Sequence, residues 1–338
     1  MTRRTVHLPV AAQDSLADIT DIAERAETLG YDRVWFPETW GRDAATTLTA
    51  IADRTTDIGI GTSIINTYSR SPALVGQTAA TLQEHSGGRF RLGMGPSGPA
   101  VIQGWHGQSF ERPLRRTREY IDVVRAVLTG DPVDYDGDLI QTQGFRLRQD
   151  APDPAPAVDV TGMGPKAVEL AGRFADGWHA LLFTADGIRE RLADLRRGMD
   201  LGDRDADAVQ TTLVVPCCAQ PDAAAARDLT RQHLAFYVGG MGEFYRDSLA
   251  RQGYEAPATD IYDAWQDGDH ERAVGLVTDD LLDAFAAAGT QADVRDRLAA
   301  FAEIDGVDAV AVSFPRAADN AVIDDTLAAV APAPAHTP

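Results

Sequence analysis

The strongest constraint on the fold is a regular alternation of short apolar runs with amphipathic helical patterns along the 338-residue chain. Eight apolar runs predict strands, at residues 5–10, 32–38, 57–64, 90–95, 157–163, 178–183, 208–217 and 307–314. Between them apolar residues recur at helical spacing, and glycines such as Gly30 follow the last turn. Alternating strands and helices form parallel sheets. Eight such units in one chain therefore favour an α/β fold of the closed (β/α)8 type, a TIM barrel, over a doubly wound open sheet.

Three segments depart from this alternation. Residues 133–140 followed by 144–148 predict a small hairpin with an Asp-Gly turn. Residues 239–266 are rich in Gly, Tyr and Asp and have the character of an insertion, and residues 274–288 predict one helix. We expect a single barrel domain over residues 1–331, with the insertion at about 239–266 and a disordered tail at 332–338.

The chain is strongly acidic, with a net charge of −20, 39 Asp against 12 Glu, and Lys166 as its single lysine among 31 basic residues. Such a surface is typical of a halophilic protein that stays hydrated in molar salt, where the Debye length is about 3 Å and self-repulsion is screened. A GC-rich genome would give a similar composition. Either origin argues against nucleic acid or an anionic membrane as a partner.

The two cysteines and the apolar runs bear on the compartment. Cys217 and Cys218 are adjacent on a predicted strand and point to opposite faces, so we expect two reduced thiols, one buried and one not. No stretch has eighteen successive apolar residues, and the first residues lack a long apolar region. The sequence thus predicts a soluble, cytoplasmic protein.

Functional residues of a barrel lie at the carboxyl ends of its strands. The run TGMGPK follows the strand at 157–163, and Pro165 suits the first position of a helix. Bare N–H groups at the positive end of that helix favour an anion such as a phosphate. Lys166 opposes the helix dipole there, and a bound phosphate would account for it. The simpler alternative is a solvated lysine above a tight glycine turn.

Two other strand ends precede loops of ordinary composition. GTSIINTYSRSP, residues 61–72, is a polar loop that runs into a helix opened by proline. SGGRFRLGMGPSG, residues 86–98, ends in a glycine-rich exit where a flat ligand can approach the backbone.

Six stretches in order carry a resemblance to a known family: GYDRVWFPETW, GTSIINTYSRSP, TLQEHSGGRFRLGMG, GPKAVELAGRFADGW, GTQADVRDRLAAF and VDAVAVSF. The chain resembles the luciferase-like monooxygenase superfamily of flavin and deazaflavin enzymes. It is most similar to the branch that uses coenzyme F420, which includes methylenetetrahydromethanopterin reductase and the F420-dependent sugar-phosphate dehydrogenases. The resemblance implies a homodimeric oxidoreductase that transfers a hydride between the deazaflavin C5 and an organic substrate. The acidic composition suggests a haloarchaeal source.

The family pattern also implies particular site residues. Its third strand ends in a non-prolyl cis peptide bond against the ring, which falls at Ser63-Ile64. Its acidic residue on the second strand, near the cofactor, is Glu38, and His7 stands near an acidic position of the pterin reductase and is able to pass a proton. The resemblance therefore implies Glu38 and His7 as catalytic residues, and Glu38 also as a cofactor contact. The remaining expected cofactor contacts are Gly95, Ser97, Gly98, Thr161, Gly162, Met163, Gly164, Pro165 and Lys166.

The chain departs from the sugar-phosphate dehydrogenases at two positions. Thr39 stands where they carry a catalytic histidine, and Gly98 stands where they carry a glutamate. Their substrate-phosphate lysines have no counterpart, because Lys166 is assigned to the cofactor. Glucose 6-phosphate is therefore not the expected substrate.

Three other functions compete with this reading. An FMN-dependent luciferase-like monooxygenase would keep the same fold. A metal-dependent barrel hydrolase would need clustered His and acidic ligands, but no His-x-His is present, and we expect no metal site. A non-catalytic deazaflavin carrier is compatible with the departures at Thr39 and Gly98. His179, in the middle of a predicted strand, is expected to be structural.

Overall fold

The computed structural model of the protein describes residues 2–10, 13 and 15–333. Within these described residues all eight predicted strands are present, with ends displaced by no more than three residues. Four further strands are present, of which two form the predicted hairpin. In chain order the strands are β1 (Arg3–His7), β2 (Arg33–Phe36), β3 (Gly59–Thr62), β4 (Ile65–Asn66), β5 (Phe90–Gly95), β6 (Val133–Asp136), β7 (Gln141–Phe145), β8 (Ala157–Thr161), β9 (Gly177–Leu181), β10 (Gln210–Ala219), β11 (Ala287–Gly289) and β12 (Ala309–Ser313).

Helices begin where the sequence places capping residues. Asp43 accepts a hydrogen bond from the Thr46 N–H at 2.8 Å, and Pro72 and Pro165 each occupy a first helical position. The helices are α1 (Leu16–Thr28), α2 (Ala44–Arg54), α3 (Pro72–His85), α4 (Pro113–Leu128), α5 (Pro165–Phe174), α6 (Ala185–Leu201), α7 (Ala223–Gly240), α8 (Glu243–Leu249), α9 (Glu255–Gln266), α10 (His270–Gly275), α11 (Asp279–Phe285), α12 (Gln291–Ala302) and α13 (Asn320–Ala329). Two π-helical segments, Ala100–Trp105 and Ala250–Tyr254, lie between them.

The chain comprises two compact units, each of which contains paired parallel strands. The first contains the described residues within 1–34, 180–193 and 210–338. Its strands follow the order β11-β10-β12-β1, with Thr212 and Arg3 on either side of Ala309. Helices α7–α11 fill residues 223–285 between β10 and β11 and enclose an apolar cluster that includes Val238 and Phe285.

Part of that helical region bears on two expectations. Residues 239–266 hold the end of α7, all of α8 and α9 and the π-helical segment between them; the assignment of one domain with an insertion stays a prediction. The expectation of one helix over 274–288 is wrong. Thr278 caps a new helix by accepting from the Leu281 N–H at 3.2 Å, and Ala287–Gly289 pairs as a strand with β10. The predicted tail lies mostly outside the described residues, which end at 333.

The second unit contains residues 35–179 and 194–209 and holds most of the predicted site. Its sheet pairs β3 with β5, β5 with β8 and β8 with β9, all parallel. Gly93 lies opposite Asp159, and Thr161 lies opposite His179. The predicted hairpin is confirmed as antiparallel β6 and β7, closed by the Gly137 N–H on the Ile140 carbonyl at 2.9 Å.

The cysteines differ from the expectation. Both Cys217 and Cys218 are buried free thiols, so the prediction of one exposed cysteine is wrong. The reason is that β10 is covered on both faces, with nine of its ten residues buried. None of the helices in the described residues has the length and apolar content to cross a membrane.

Candidate cofactor site

The end of β3 brings Glu38 next to Ser63-Ile64. That peptide bond is cis, as the family resemblance implied. The Ser63 N–H donates to the Phe36 carbonyl at 2.9 Å, and the Glu38 N–H donates to the Ile64 carbonyl at 3.2 Å. Backbone hydrogen bonds therefore hold two of the sequence-predicted positions side by side.

Two glycines allow the neighbouring strand ends to approach this point. A Cβ atom at Gly95 would lie 2.5 Å from Thr161 Cγ2 and 3.7 Å from Ile64 Cδ1. A Cβ atom at Gly162 would lie 2.5 Å from the Ala167 methyl group. Bare backbone thus lets the end of β5 lie against Ile64 and Thr161, and lets the end of β8 lie against the start of α5.

The glycine turn after β8 presents backbone donors. Gly164 precedes α5 without a side-chain cap, and its carbonyl accepts from the Ala167 and Val168 N–H groups. The Trp178 indole donates to the Gly162 carbonyl at 2.9 Å and fixes the turn. Among the described residues, nothing accepts from the Met163 or Gly164 N–H. These two donors at a helix N-terminus are suited to an anion.

Lys166 forms an ion pair with Glu169 of its own helix, which was not predicted from the sequence. Its ammonium lies 3.1 and 3.2 Å from the two Glu169 oxygens, in an i,i+3 pair. Hydrogen bonds from Arg197, at 2.9 Å, and from Lys166 lower the pKa of Glu169. The Lys166 side chain is 74% exposed. Its contact with a cofactor phosphate stays a prediction.

Glu38 is held in an ion-pair network. Its carboxylate accepts from both terminal nitrogens of Arg70 and from the Ala44 N–H at 2.9 Å. Arg70 also bonds Asp43, the capping residue of α2, and the Glu38 hydrogen bond raises the pKa of Arg70. The sequence did not single out Arg70, although it is the one cation in the loop 61–72.

Ser97 and Gly98 shape the exit from β5. Ser97 adopts a left-handed conformation with a φ of 59°, which is uncommon for a residue other than glycine. The Gly98 carbonyl accepts from the Ile102 N–H at 3.1 Å, at the start of the first π-helical segment. Such segments often lie at functional sites.

His179 is part of a polar row that the sequence did not predict. Its Nδ1 lies 2.8 Å from Ser63 Oγ and its Nε2 lies 3.2 Å from Asp159 Oδ2. Arg91 Nε donates to the same Asp159 oxygen at 3.0 Å. Burial would raise the pKa of Asp159, but hydrogen bonds from His179 and Arg91 outweigh it and hold that pKa well below its usual range. The alternation of side chains along a strand could have indicated this row. Asp159 and Thr161 lie on the same face of β8, and Thr161 pairs with His179 of β9.

His7, the predicted proton-handling residue, belongs to the first unit and ends β1. It interacts electrostatically with His233, a buried histidine that the sequence did not single out. Burial, followed by the charges of Arg316 and His7, lowers the pKa of His233 to about 3. The Arg316 N–H donates to His233 Nδ1 at 3.2 Å.

Comparisons with known proteins identify the family. The luciferase-like monooxygenase model matches residues 2–308. The 5,10-methylenetetrahydromethanopterin reductase of Methanolobus tindarius is 32% identical over 317 residues, which cover 92% of this chain and 94% of the relative. The chain belongs to the luciferase-like monooxygenase family. It is an oxidoreductase with the TIM-barrel fold, which confirms both the predicted class and the predicted architecture.

Two solved structures share that fold over nearly the whole chain. The coenzyme F420-dependent tetrahydromethanopterin reductase of Methanopyrus kandleri has a TM-score of 0.84 at 24% identity and covers 97% of each chain. An F420-dependent secondary alcohol dehydrogenase in complex with an F420-acetone adduct has a TM-score of 0.79 at 21% identity, with coverage of 98% and 99%.

Proposed function

We propose that the protein is a coenzyme F420-dependent oxidoreductase that transfers a hydride between the deazaflavin and a small organic substrate. The observation that carries this proposal is the pair of open N–H donors at Met163 and Gly164, which follow Thr161, the residue that packs against Gly95 beside Ile64. F420 combines a flat ring with a phosphodiester, and these residues suit both parts. Similar proteins named as F420-dependent support the same cofactor.

Each part of the site has a separate task in this function. When bound, the deazaflavin supplies or accepts the hydride. The Met163 and Gly164 N–H groups bind phosphate oxygens, and Ile64, Gly95 and Thr161 form the apolar surface against which a ring lies. The Glu38–Arg70 ion pair fixes the backbone beside Ile64, since the Glu38 N–H bonds the Ile64 carbonyl. His7 is proposed, from the family resemblance alone, to pass the proton.

The substrate is proposed only as a class. The similar proteins are named as a methylenetetrahydromethanopterin reductase and a secondary alcohol dehydrogenase, so their names do not point to one substrate. Thr39 and Gly98 stand where sugar-phosphate dehydrogenases are expected to carry His and Glu, and we do not propose glucose 6-phosphate. Homodimer formation and a cytoplasmic location follow from resemblance and composition and stay predictions.

Cofactor titration tests the proposal. We expect F420 to bind with quenching of fluorescence, a phosphate-free deazaflavin to bind at least about tenfold more weakly because it lacks the charge-assisted bonds, and FMN not to compete. Loss of reduced-F420 absorbance with an oxidised substrate candidate would then establish turnover. Tight FMN binding with oxygen consumption would instead establish the luciferase-like monooxygenase. F420 binding without turnover on any candidate would favour a carrier.

A further inference from the structure

The polar row of the second unit connects Ser63 to the interior of the sheet. Its members are Ser63, His179, Asp159 and Arg91, joined by the distances given above. The side chains of His179 and Asp159 are 3% and 2% exposed. Trp35 meets the imidazole edge-on, with ring centroids 4.4 Å apart and an interplanar angle of 75°. The imidazole is therefore fixed both by hydrogen bonds and by packing.

The row determines where each hydrogen lies. An ionised carboxylate only accepts, so the hydrogen between Asp159 and His179 is on Nε2. Arg91 already neutralises Asp159, and a charged imidazole would leave an uncompensated cation in the interior, which is costly. Neutral His179 with a hydrogen on Nε2 has only a lone pair on Nδ1. The Ser63 hydroxyl must then donate to it.

We propose that His179 is a positioning residue for the cofactor: by taking the Ser63 hydrogen, it makes Ser63 Oγ a hydrogen-bond acceptor for an N–H group of the bound deazaflavin. This inference rests on the proposed function, because it requires the cofactor to lie against Ser63-Ile64. It assigns a task to a histidine that the sequence pattern placed among structural residues.

Serine, histidine and aspartate, three of the four residue types in this row, also form the catalytic triad of serine hydrolases. In that triad the histidine removes the serine proton and the carboxylate stabilises the resulting imidazolium. Here Arg91 binds both Asp159 oxygens, through Nε and Nη2, so the carboxylate has little charge left to stabilise an imidazolium. The geometry therefore orients the hydroxyl hydrogen and does not activate the oxygen. We expect no hydrolysis of simple aryl esters.

Nitrogen-15 NMR of the cofactor-free protein tests the first half of the proposal. His179 is assigned by the signal that disappears in His179→Asn. We expect the shift pattern of a neutral ring protonated on Nε2, and in Asp159→Asn a change in that pattern because the acceptor that fixes it is replaced. A ring protonated on Nδ1, or on both nitrogens, in the parent would overturn the assignment of Ser63 as an acceptor.

The affinity for F420 tests whether Ser63 Oγ accepts a hydrogen bond from the cofactor. Two substitutions of His179 place a side-chain amide at different distances from the backbone. His179→Gln keeps an amide where Nε2 meets Asp159 but removes the acceptor for Ser63, and we expect about five- to tenfold weaker binding. His179→Asn places an amide oxygen near the Nδ1 position and should stay within about twofold of the parent. In a Ser63→Ala background, His179→Gln should add less than about twofold.

The outcomes separate a positioning role from a structural one. If His179→Gln lowers the F420 affinity equally in the parent and in the Ser63→Ala background, the histidine acts by stabilising the fold. That result would overturn the proposal. Thermal unfolding of each variant accompanies the titrations, so that a loss of folded protein is not counted as a loss of affinity. If the parent itself does not bind F420, the proposed function fails, whereas parent binding with an unaffected His179→Gln variant refutes only this inference.

Discussion

Lys166 shows how far one residue can be interpreted without its neighbours. The sequence marks it as the single lysine, placed at a helix start where a cation is unfavourable, and this suggests a phosphate. The structure adds an ion pair with Glu169, three residues later, which in turn binds Arg197. The lysine is thus partly explained within its own helix, and its effect on a bound anion is expected to be small.

We predict that Lys166→Ala weakens F420 binding at low salt by about two- to fivefold, because an exposed, already paired cation contributes little. The loss should vanish in molar KCl, where exposed charges are screened. Fluorescence titration at both salt concentrations measures it. Arg25→Ala, which removes a surface cation paired with Asp324, is the control and should leave the affinity unchanged. A loss above tenfold would mean that Lys166 leaves Glu169 to bind the phosphate directly.

His233 gives a prediction about pH. Its folded-state pKa, about 3, lies below the unfolded value of about 6.5. Between these values the unfolded chain binds one more proton than the folded chain, so the free energy of unfolding falls as the pH falls through that window. At pH 5 the loss from this group is about 2 kcal/mol relative to pH 7.

The variant His233→Asn isolates this contribution. Its amide oxygen can still accept from the Arg316 N–H, but the side chain no longer titrates. We expect denaturant unfolding in molar KCl to show a smaller decrease from pH 7 to pH 5 for the variant than for the parent. Parallel decreases in both proteins would mean that His233 is protonated in the folded state at pH 5, because the contributions of the carboxylates are common to both proteins and cancel.

At the scale of elements, the packing of the end of β5 against the end of β8 depends on the absence of a side chain at Gly95. Gly95 leaves room for the methyl group of Thr161. The hydroxyl group of the same threonine donates to the His179 carbonyl at 3.1 Å. The two strands and β9 are therefore coupled where the proposed ring surface lies. A glycine in a strand costs conformational entropy and weakens the strand, and here close approach accounts for it.

We predict that Gly95→Ala weakens F420 binding about tenfold or more, because the new methyl group displaces Thr161 and with it the start of the glycine turn. The double variant Gly95→Ala with Thr161→Ser removes the methyl group that is in the way and keeps the hydroxyl, so it should recover most of the affinity. Titration of the three proteins measures this. Gly275→Ala, where a Cβ atom has open space, is the control. Failure of the double variant to recover would place the conflict elsewhere.

At the scale of the whole molecule, charge is the main variable. The chain carries 51 acidic against 31 basic side chains. Arginine ion pairs such as Arg227 with Asp279 and Asp283 offset part of the repulsion. The net charge of −20 still produces a repulsion among the acidic groups, and this repulsion is screened at high ionic strength.

We predict that the melting temperature rises steadily from dilute buffer to molar KCl, as repulsion among the acidic side chains is removed. Calorimetry across that range measures it. Molar tetramethylammonium chloride should stabilise similarly if screening alone is responsible. A flat profile would contradict the interpretation of the composition as salt adaptation and would leave a GC-rich genome as its explanation.

The sequence by itself determined the order of strands and helices and the positions of several turns. Periodicity, capping residues such as Asp43 and helix-opening prolines such as Pro165 act over a few residues, so they are visible in one dimension. It also located the glycine turn at 162–164, because a strand, a turn and a helix start are all local. The family resemblance added the cis bond at Ser63-Ile64, which the structure confirmed.

Only the tertiary structure decided which side chains meet. Ser63 and His179 are 116 residues apart, and Arg91 and Asp159 are 68 apart. Their contacts depend on the register between parallel strands, which long crossover connections do not encode locally. The same holds for Arg70, which reaches Glu38 across 32 residues. Local patterns fix the elements because their hydrogen bonds are short-range, whereas the polar partners of the site are fixed by how distant strands align.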